Sequence, residues 1–254
     1  MLVQWTRRVV RCFQTVALVV ATLWSTASVA ASLQVSPVVL NLHAAQAAAE
    51  LWLSNVGPRP LQAQARVFRW TQENGEDVLI PADDMVASPP MIAIQPGQQQ
   101  MVRIVRVGAG MSPPPVQAAY RVVLDELPLQ SGAQGVQFVL RYSIPIFVSA
   151  PQAASDGETQ NASSPALEWS LRRAGGDVFL TATNPDSVHA KLTEVDFNPL
   201  TGHAITLSDG LYGYVLPRAT RHWKVTEHRA VTAGGTLNAL VNDQAVAIPL
   251  APVP

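Results

Sequence analysis

Chemical activity in this chain would have to come from its histidines, its paired carboxylates or its cysteine. Paired carboxylates stand at Asp83–Asp84 and Asp125–Glu126, and two neighbouring acids can serve as a general acid and a base. Adjacent residues on a strand point to opposite faces, so each pair is better explained as a solvated turn or an ion-pair partner. The histidines are scattered and lack a familiar zinc-ligand spacing; they are His43, His189, His203, His222 and His228.

Sequence motifs of enzymes are missing as well. The chain has no G-x-S-x-G elbow, no H-E-x-x-H helix, no glycine-rich phosphate loop and no calcium loop. Its single cysteine, Cys12, lies in a segment that we expect to be removed. The sequence therefore predicts a protein that is not an enzyme and that holds no cofactor and no metal.

The segment 1–31 has the three parts of a secretory signal peptide. A basic start with Arg7, Arg8 and Arg11 precedes the apolar run FQTVALVVATLW, which is too short to span a bilayer comfortably. The following STASVAA offers small residues for cleavage after Ala30 or Ala31. We predict export by the Sec route and no stable membrane insertion after cleavage.

Removal of this segment changes the net charge and the length of the chain that would function. It takes three of the 17 basic residues and none of the 18 acidic ones, which leaves a net charge of −4. A nucleic-acid-binding protein would need a basic stripe, so no nucleic-acid partner is expected. About 220 residues remain, enough for two domains that each bury a core.

Short apolar or alternating runs, separated by turn signals, dominate the mature sequence. In the first half they are LQVSPVVLNL, AELWLSN, LQAQARVFRW, MVRIVRV, YRVVLDEL and VQFVLRYSIPIFV. Because no long helical periodicity separates them, they predict an antiparallel β-sandwich. Strand signals resume after SAPQAASDGETQNASSP, residues 149–165, a stretch typical of a linker.

We therefore predict an all-β chain with two sandwich domains. The predicted parts are a signal peptide at 1–31, an N-terminal domain at 32–150, a linker at 151–165 and a C-terminal domain at 166–254.

The segment SPPMIAIQPGQQQMVRIVRVG, residues 88–108, resembles the signature of the PapD-like periplasmic chaperones of the chaperone–usher pathway. In that family a proline pair, an apolar stretch and a Pro-Gly turn lead into a strand reading x-V-R-[IL]. Similar matches cover essentially the whole mature chain, from LQVSPVVLNL as first strand to VQFVLRYSIPIFV as seventh. Tyr120–Arg121 and the run Arg141–Pro145 look most similar to the non-classical, archaic branch, which is related to spore-coat-protein-U-type systems.

The resemblance implies two immunoglobulin-like sandwiches arranged in an L with a cleft between them. It also implies a periplasmic protein that lends its seventh strand to the incomplete fold of a pilus or spore-coat-U-like subunit, for delivery to an outer-membrane usher. Backbone pairing along an exposed edge would provide this contact, with alternate side chains filling a groove in the subunit. The residues expected to bind the subunit are Val136, Phe138, Leu140, Tyr142 and Ile144.

The sequence departs from the family at the anchor for the subunit's terminal carboxylate. The two basic residues of familiar members correspond here to Pro37 and Pro145, and the N-terminal domain contains no lysine. If this chain still anchors the carboxylate by charge, arginine must do so, and a guanidinium can bind it through two hydrogen bonds. Arg121 and Arg141 are the expected anchors, with Arg103 as a third candidate.

A second departure concerns the family's acid–arginine–acid bridge between the domains. Glu126 and Asp243 match its acids, but Ala150 stands at the arginine position, so the bridge looks broken. A different way of holding the two domains is expected.

An alternative from another class is a secreted two-domain adhesive or carbohydrate-binding sandwich. Such a protein would expose aromatic residues such as Trp70, Tyr212 or Trp223 on loops and would need no bare strand edge. An enzyme would need an organised nucleophile or metal site, which the sequence lacks. An oligomer in which the chaperone caps its own edge is a further possibility left open at this point.

Overall fold

The computed structural model describes residues 33–128, 139–151, 165–226 and 231–253. The predicted signal peptide and most of the predicted linker lie outside these ranges. The first half of the chain forms β1 (Leu33–Ser36), β2 (Leu40–Leu42), β3 (Ala48–Asn55), β4 (Leu61–Glu73), β5 (Glu76–Pro81), β6 (Met85–Ser88), β7 (Met91–Ile94), β8 (Gln99–Arg106), β9 (Ala118–Leu127) and β10 (Arg141–Val148). The second half forms β11 (Glu168–Ala174), β12 (Asp177–Thr183), β13 (Ala190–Pro199), β14 (Ile205–Val215), β15 (Thr220–Val225), β16 (Gly235–Val241) and β17 (Gln244–Leu250).

The first ten strands form two facing sheets. Sheet one has the order β1-β3-β8-β6, and sheet two has the order β2-β10-β9-β4-β5, with β7 also paired to β4. Neighbouring strands are antiparallel except β2 and β10, which run parallel. A single turn of 3-10 helix, Gly108–Met111, lies between β8 and β9.

The alternation of residues along the strands explains why the sheets pack face to face. In β4 every second residue from Leu61 to Val67 is buried, whereas Gln62 and Arg66 are exposed. A period of two places all the buried side chains on one face of the sheet. Their partners across the core come from sheet one and include Leu51, Leu53, Val102 and Ile104.

The remaining seven strands form a second, smaller sandwich. A three-stranded sheet, β11-β12-β15, packs against a four-stranded sheet, β14-β13-β16-β17. Its core contains Leu180, Leu192, Phe197 and Leu237, separate from the core of the first sandwich. The predicted all-β fold with two sandwich domains is confirmed. No helix in the described ranges is long and apolar enough to cross a membrane.

The outer face of sheet two packs against the second domain through a cluster of apolar side chains. Its members are Trp70, Ala119, Phe147, Tyr214 and Leu216. The Trp70 and Tyr214 rings meet edge to face with centroids 5.5 Å apart. Hydrogen bonds flank the cluster: Gln72 Nε2 donates to the Tyr214 carbonyl at 2.8 Å, and the Leu216 N–H donates to Gln72 Oε1 at 2.9 Å.

The hairpin between β4 and β5 reaches across to the second domain. The Gly75 carbonyl accepts the His222 N–H at 3.0 Å and Arg221 Nη1 at 2.5 Å. Arg221 Nη1 also donates to Glu76 Oε2 at 2.8 Å. A Cβ on Gly75 would stand 1.8 Å from His222 Cδ2, so only glycine permits this close approach. The hairpin therefore helps to fix the second domain.

This close approach generates a prediction for Gly75→Ala. The substitution should cost about 1–2 kcal/mol of backbone strain, since Gly75 has a φ of 80°, and an additional amount from the clash with His222. We expect a larger loss of unfolding free energy than strain alone explains, and a wider separation of the domains in small-angle X-ray scattering.

Gly97→Ala is the matched control, because Gly97 has a φ of 73° but no heavy atom within 4 Å of its added Cβ. Equal stability losses in the two variants, with unchanged scattering, would show that the hairpin contact does not position the domains.

Candidate functional site

Strand β10 is an edge strand over most of its length. Strand β9 pairs with all of Arg141–Val148, but β2 pairs only with Ile146–Val148. Among the described strands, none pairs with the second edge of Arg141–Pro145. Unpaired N–H and C=O groups on such an edge form a template for a strand from another chain.

The two faces of β10 are buried against different parts of the molecule. Ile144, Ile146 and Val148 lie in the core of the first domain. Phe147 points to the opposite face and packs in the interdomain cluster. The end of β10 is thus held from both sides, while its beginning is held mainly by pairing with β9.

An open cavity of about 690 Å³ lies beside the unpaired edge. It is lined by the β1 residues Leu33–Ser36 together with Ser54, Gln99 and Tyr142. The Tyr142 hydroxyl donates to the Leu33 carbonyl at 2.5 Å and so ties the start of β10 to β1. Burial raises the pKa of Tyr142, and the nearby Glu126 carboxylate raises it further, so the hydroxyl remains a donor.

The predicted subunit-binding residues differ in where the structure places them. Val136 and Phe138 lie outside the described residues. Leu140 is half-buried, and its backbone pairs with Glu126, whose N–H donates to the Leu140 carbonyl at 2.9 Å. Tyr142 packs partly against the first core.

Ile144, predicted as part of the subunit-binding strand, has its side chain in the first domain's own core, where it is only 4% exposed. The reason is the period of two along the strand, which places Ile144 on the same face as Ile146 and Val148. Only its backbone edge remains available to a partner.

Arg121 lies at the border of the two domains, between Trp70 of the first and Tyr214 of the second. It stands opposite Pro145 in the pairing of β9 with β10. Its guanidinium carbon lies 3.8 Å from the Trp70 ring centroid and 6.0 Å from that of Tyr214. Stacking on an aromatic face holds a guanidinium in place without neutralising its charge.

The charge of Arg121 has no direct carboxylate partner among the described residues. Its Nη1 donates only to Ser143 Oγ, at 3.2 Å. Burial lowers its pKa from the usual value, and Asp77 opposes this shift from a distance. A half-buried, preoriented guanidinium of this kind can donate hydrogen bonds to a carboxylate of a bound chain.

Arg141 does not lie beside Arg121 in the structure. It stands opposite Asp125 in the strand pairing, and its Nε donates to that carboxylate. Asp125 also accepts Arg66 Nη2 at 2.6 Å, and both arginines hold the pKa of Asp125 below its usual range against the effect of burial. At about 3.3 Å per residue, Asp125 lies roughly 13 Å along β9 from Arg121.

The third candidate, Arg103, lies on the other sheet. It is exposed on β8 and stands opposite Glu50 of β3 in the strand pairing. This position separates it from the border of the two domains, so it does not join Arg121 either.

The acids that match the family's interdomain bridge have partners in their own domains. Glu126 Oε2 accepts the Leu140 N–H at 3.3 Å, and Asp243 accepts Lys191 Nζ at 2.8 and 3.0 Å. Contacts between the domains are instead made by the aromatic cluster and the β4–β5 hairpin.

His189 is an interdomain residue that the sequence analysis did not assign. Its ring stacks on Phe147 with centroids 3.6 Å apart and an interplanar angle of 5°. Its Nδ1 lies 2.7 Å from Gln117 Oε1, which also accepts the His189 N–H at 2.9 Å. Burial, with a smaller effect from Lys191, lowers the pKa of His189 to about 4. No local sequence pattern marks this contact, because Phe147 and His189 belong to different domains.

The aromatic residues that would support an adhesive protein are largely covered. Trp70 is 2% exposed and lies in the interdomain cluster. Tyr212 and Trp223 stack on each other at 5.0 Å and pack partly against the second core. Within the described residues, no group of three or more His, Cys, Asp and Glu could hold a metal ion.

One family model matches the first of the two domains. Residues 32–154 match the family described as "Pili and flagellar-assembly chaperone, PapD N-terminal domain". None of the curated proteins matches the chain.

Solved structures with the same fold cover most of the chain. The CsuC–CsuE chaperone–tip adhesion subunit complex of Acinetobacter baumannii, from archaic chaperone-usher Csu pili, has a TM-score of 0.68 at 24% identity, covering 87% of this chain and 99% of that one. The Salmonella enterica SafA pilin–SafB chaperone complex has a TM-score of 0.60 at 18% identity, with coverage of 88% and 99%. The E. coli chaperone DraB has a TM-score of 0.56 at 20% identity, with coverage of 86% and 96%.

The interdomain histidine predicts a pH dependence of stability. The pKa of His189 is about 4 in the folded chain, against the usual 6.5 of an exposed histidine, so between these pH values the unfolded chain binds a proton that the folded chain does not. The unfolding free energy should therefore fall as the pH drops from about 6.5 to about 4, by about 3 kcal/mol in total.

His189→Gln removes the titration and keeps a side chain that can hydrogen-bond to Gln117. Urea unfolding of both proteins across this pH range should give a steeper decline for the unaltered chain. Parallel curves would contradict the assignment of this proton to His189.

Proposed function

We propose that this chain is a periplasmic chaperone for fimbrial subunits. The proposal rests on the match of residues 32–154 to the PapD N-terminal domain family of pili and flagellar-assembly chaperones. The clients of the chain would be pilus or spore-coat-U-like subunits whose immunoglobulin-like fold lacks a strand. The chaperone would lend an edge strand to that fold and then deliver the subunit to an outer-membrane usher.

The observation that supports this function best is the unpaired edge of β10. Strand addition requires a row of free backbone N–H and C=O groups, and Arg141–Pro145 pair on one side only within the described sheets. An edge of this kind promotes aggregation in most proteins, so a function that uses it gives the simplest explanation for its presence.

The side chains that enter the subunit would come from the segment before β10. Val136, Phe138 and Leu140 alternate with polar or outward positions and would follow one another at about 6.6 Å. Tyr142 and Ile144 pack towards the chaperone's own core, so they would contribute through the backbone. The beginning of the strand would thus place side chains in the subunit's core, and the end of the strand would place side chains in the chaperone's own core.

Arg121 is the proposed anchor for the terminal carboxylate of the subunit. It is half-buried, stacked on Trp70 and free of a direct carboxylate partner in the described part of the chain. It also stands opposite Pro145, which matches a basic position of the family. One cation on β9 would therefore replace the usual pair.

Two further features of the proposal follow from the predicted export signal and the edge, and a third observation comes from the structural relatives. The signal peptide would place the chain in the periplasm, where clients fold and the usher is reached. Without a client, the bare edge would favour capping by a second copy of the chain. The complexes among the structural relatives pair a chaperone with a tip adhesion subunit or a pilin, which supports a fimbrial client.

The first test distinguishes a side chain that would enter the subunit from a side chain that lies in the chaperone's own core. Phe138→Asp should leave the chain folded but unable to retain a subunit, because an apolar side chain that contributes about 1.5–3 kcal/mol when buried becomes charged. The measurement is the yield of subunit that co-purifies with the variant.

Ile144→Asp is the contrasting variant, since Ile144 is 4% exposed in the chaperone's core. It should unfold the chaperone itself, as seen by circular dichroism. A normal subunit yield with folded Phe138→Asp would exclude this side chain from the mechanism.

The second test concerns the anchor. Arg121→Ala should lower the affinity for one purified subunit about tenfold to a hundredfold, because a charge-assisted hydrogen bond contributes about 1.5–3 kcal/mol. Binding would be measured by calorimetry.

Arg141→Ala is the control on the adjacent strand, because its guanidinium is already paired with Asp125 and its side chain is 68% exposed. It should bind the subunit as the unaltered chain does. Equal affinities for Arg121→Ala and Arg141→Ala would contradict carboxylate anchoring by Arg121.

A further inference from the structure

Asp77 of β5 is connected to Arg121 through the Trp70 ring. In the pairing of β4 with β5, Asp77 stands opposite Gln72, so it shares a face of the sheet with Trp70, two residues further along β4. Its Oδ1 accepts the Trp70 Nε1–H at 3.0 Å and Gln72 Nε2 at 2.9 Å. The Asp77 side chain is 36% exposed, whereas Trp70 is buried. A surface carboxylate thus holds the polar edge of a buried ring that carries the Arg121 guanidinium on its face.

The hydrogen bond to Asp77 determines how the Trp70 ring is turned. An indole has a single donor, its Nε1–H, so any other rotation of the ring about its Cβ–Cγ bond would move that donor away from Asp77. The Arg121 guanidinium carbon lies 3.8 Å from the centroid of this ring. Within the described residues, the only hydrogen bond of the Arg121 side chain goes to Ser143 Oγ, at 3.2 Å. The position of the guanidinium therefore depends on the ring.

The charge of Asp77 acts on Arg121 without occupying it. Burial lowers the pKa of Arg121, and the Asp77 carboxylate is the main group that opposes this shift. Yet Asp77 makes no ion pair with Arg121 in the described part of the chain, because its Oδ1 is directed to the indole N–H. The guanidinium N–H groups thus stay available to a carboxylate from a bound chain.

A purely structural role, in holding the domains together, is the alternative for Asp77. Its Oδ2 lies 3.7 Å from Arg221 Nη2 of the second domain. The neighbouring Glu76 provides a direct comparison, because its Oε2 accepts Arg221 Nη1 at 2.8 Å. Adjacent residues of a strand point to opposite faces, so Glu76 faces away from Trp70. The two acids therefore share the contact with Arg221 and differ in the contact with the indole.

We propose that Asp77 is a positioning residue for the carboxylate anchor. It fixes the Trp70 ring, and the ring fixes the Arg121 guanidinium; Asp77 itself does not contact the subunit. The inference rests on the proposed function, since it assigns Asp77 to the anchor named there.

The affinity for one purified subunit, measured by calorimetry, tests this role. Asp77→Ala should lower the affinity about threefold to tenfold, because loss of the indole hydrogen bond releases the guanidinium from its binding geometry. Asp77→Asn should bind within about twofold of the unaltered chain, since its amide oxygen still accepts the Trp70 N–H. Glu76→Ala should bind as the unaltered chain does, although it also removes a contact with Arg221.

A double-mutant cycle shows whether Asp77 acts through Arg121. In the Arg121→Ala background, Asp77→Ala should cause no further loss of affinity, because the group that it positions is absent. Full affinity of Asp77→Ala, an equal loss with and without Arg121, a similar loss in Glu76→Ala, or no rescue by Asp77→Asn would each overturn the proposal.

Nuclear magnetic resonance of the chain without a subunit separates this inference from the proposed function. The Arg121 side-chain N–H signals should lie upfield in the unaltered chain and in Asp77→Asn, because they are over the Trp70 ring. They should move towards their usual position in Asp77→Ala, and unchanged signals there would overturn the proposal. If the signals move as expected while Arg121→Ala binds the subunit normally, the anchor of the proposed function is wrong, and not the orienting contact.

Discussion

The half-paired strand β10 is the constraint on which the rest of the structure depends. A β-strand buried at the centre of a sheet satisfies its backbone groups on both sides, but Arg141–Pro145 do so on one side only within the described sheets. Water can satisfy the open side while no partner is present. Such an edge remains usable only if the strand keeps its position and register without a second neighbour.

Several contacts hold β10 in that position. Ile144, Ile146 and Val148 place one face in the first core, and Phe147 places the other against the second domain. The second domain is in turn fixed by Gln72 and by the hairpin at Gly75. The interdomain contacts therefore support the strand that we propose as the binding element, and Arg121 is oriented by the same aromatic cluster.

The sequence predicts the strands and the two-domain organisation because these depend on local patterns. Alternating burial in β4 and turn residues between strands are visible without coordinates. Contacts that depend on distant partners could not be predicted in this way. Arg121 and Arg141 look equivalent in the sequence, and only the pairing of β9 with β10 shows that Arg141 meets Asp125.

The same limit explains why the contacts of Ile144, Asp84 and His189 could not be predicted from the sequence. The alternation along β10 predicts which residues share a face, but it does not indicate which core that face covers. Asp84 follows another acid, and the sequence favours a solvated turn or an ion pair without choosing between them; Asp84 is buried and pairs with Arg69 and Tyr120 from two other strands. The stacking of His189 on Phe147 requires the two domains to be in contact, which no local pattern encodes.

The most direct test of the central claim is amide hydrogen exchange of the chain with and without a bound fimbrial subunit. The account predicts that amides between Val139 and Ile144 that do not bond to β9 exchange rapidly in the free chain and become protected in the complex. Protection should not change comparably at β5, the other edge of the same sheet. A stable complex in which the exchange of this segment is unchanged would contradict the claim that β10 is the strand that binds the subunit.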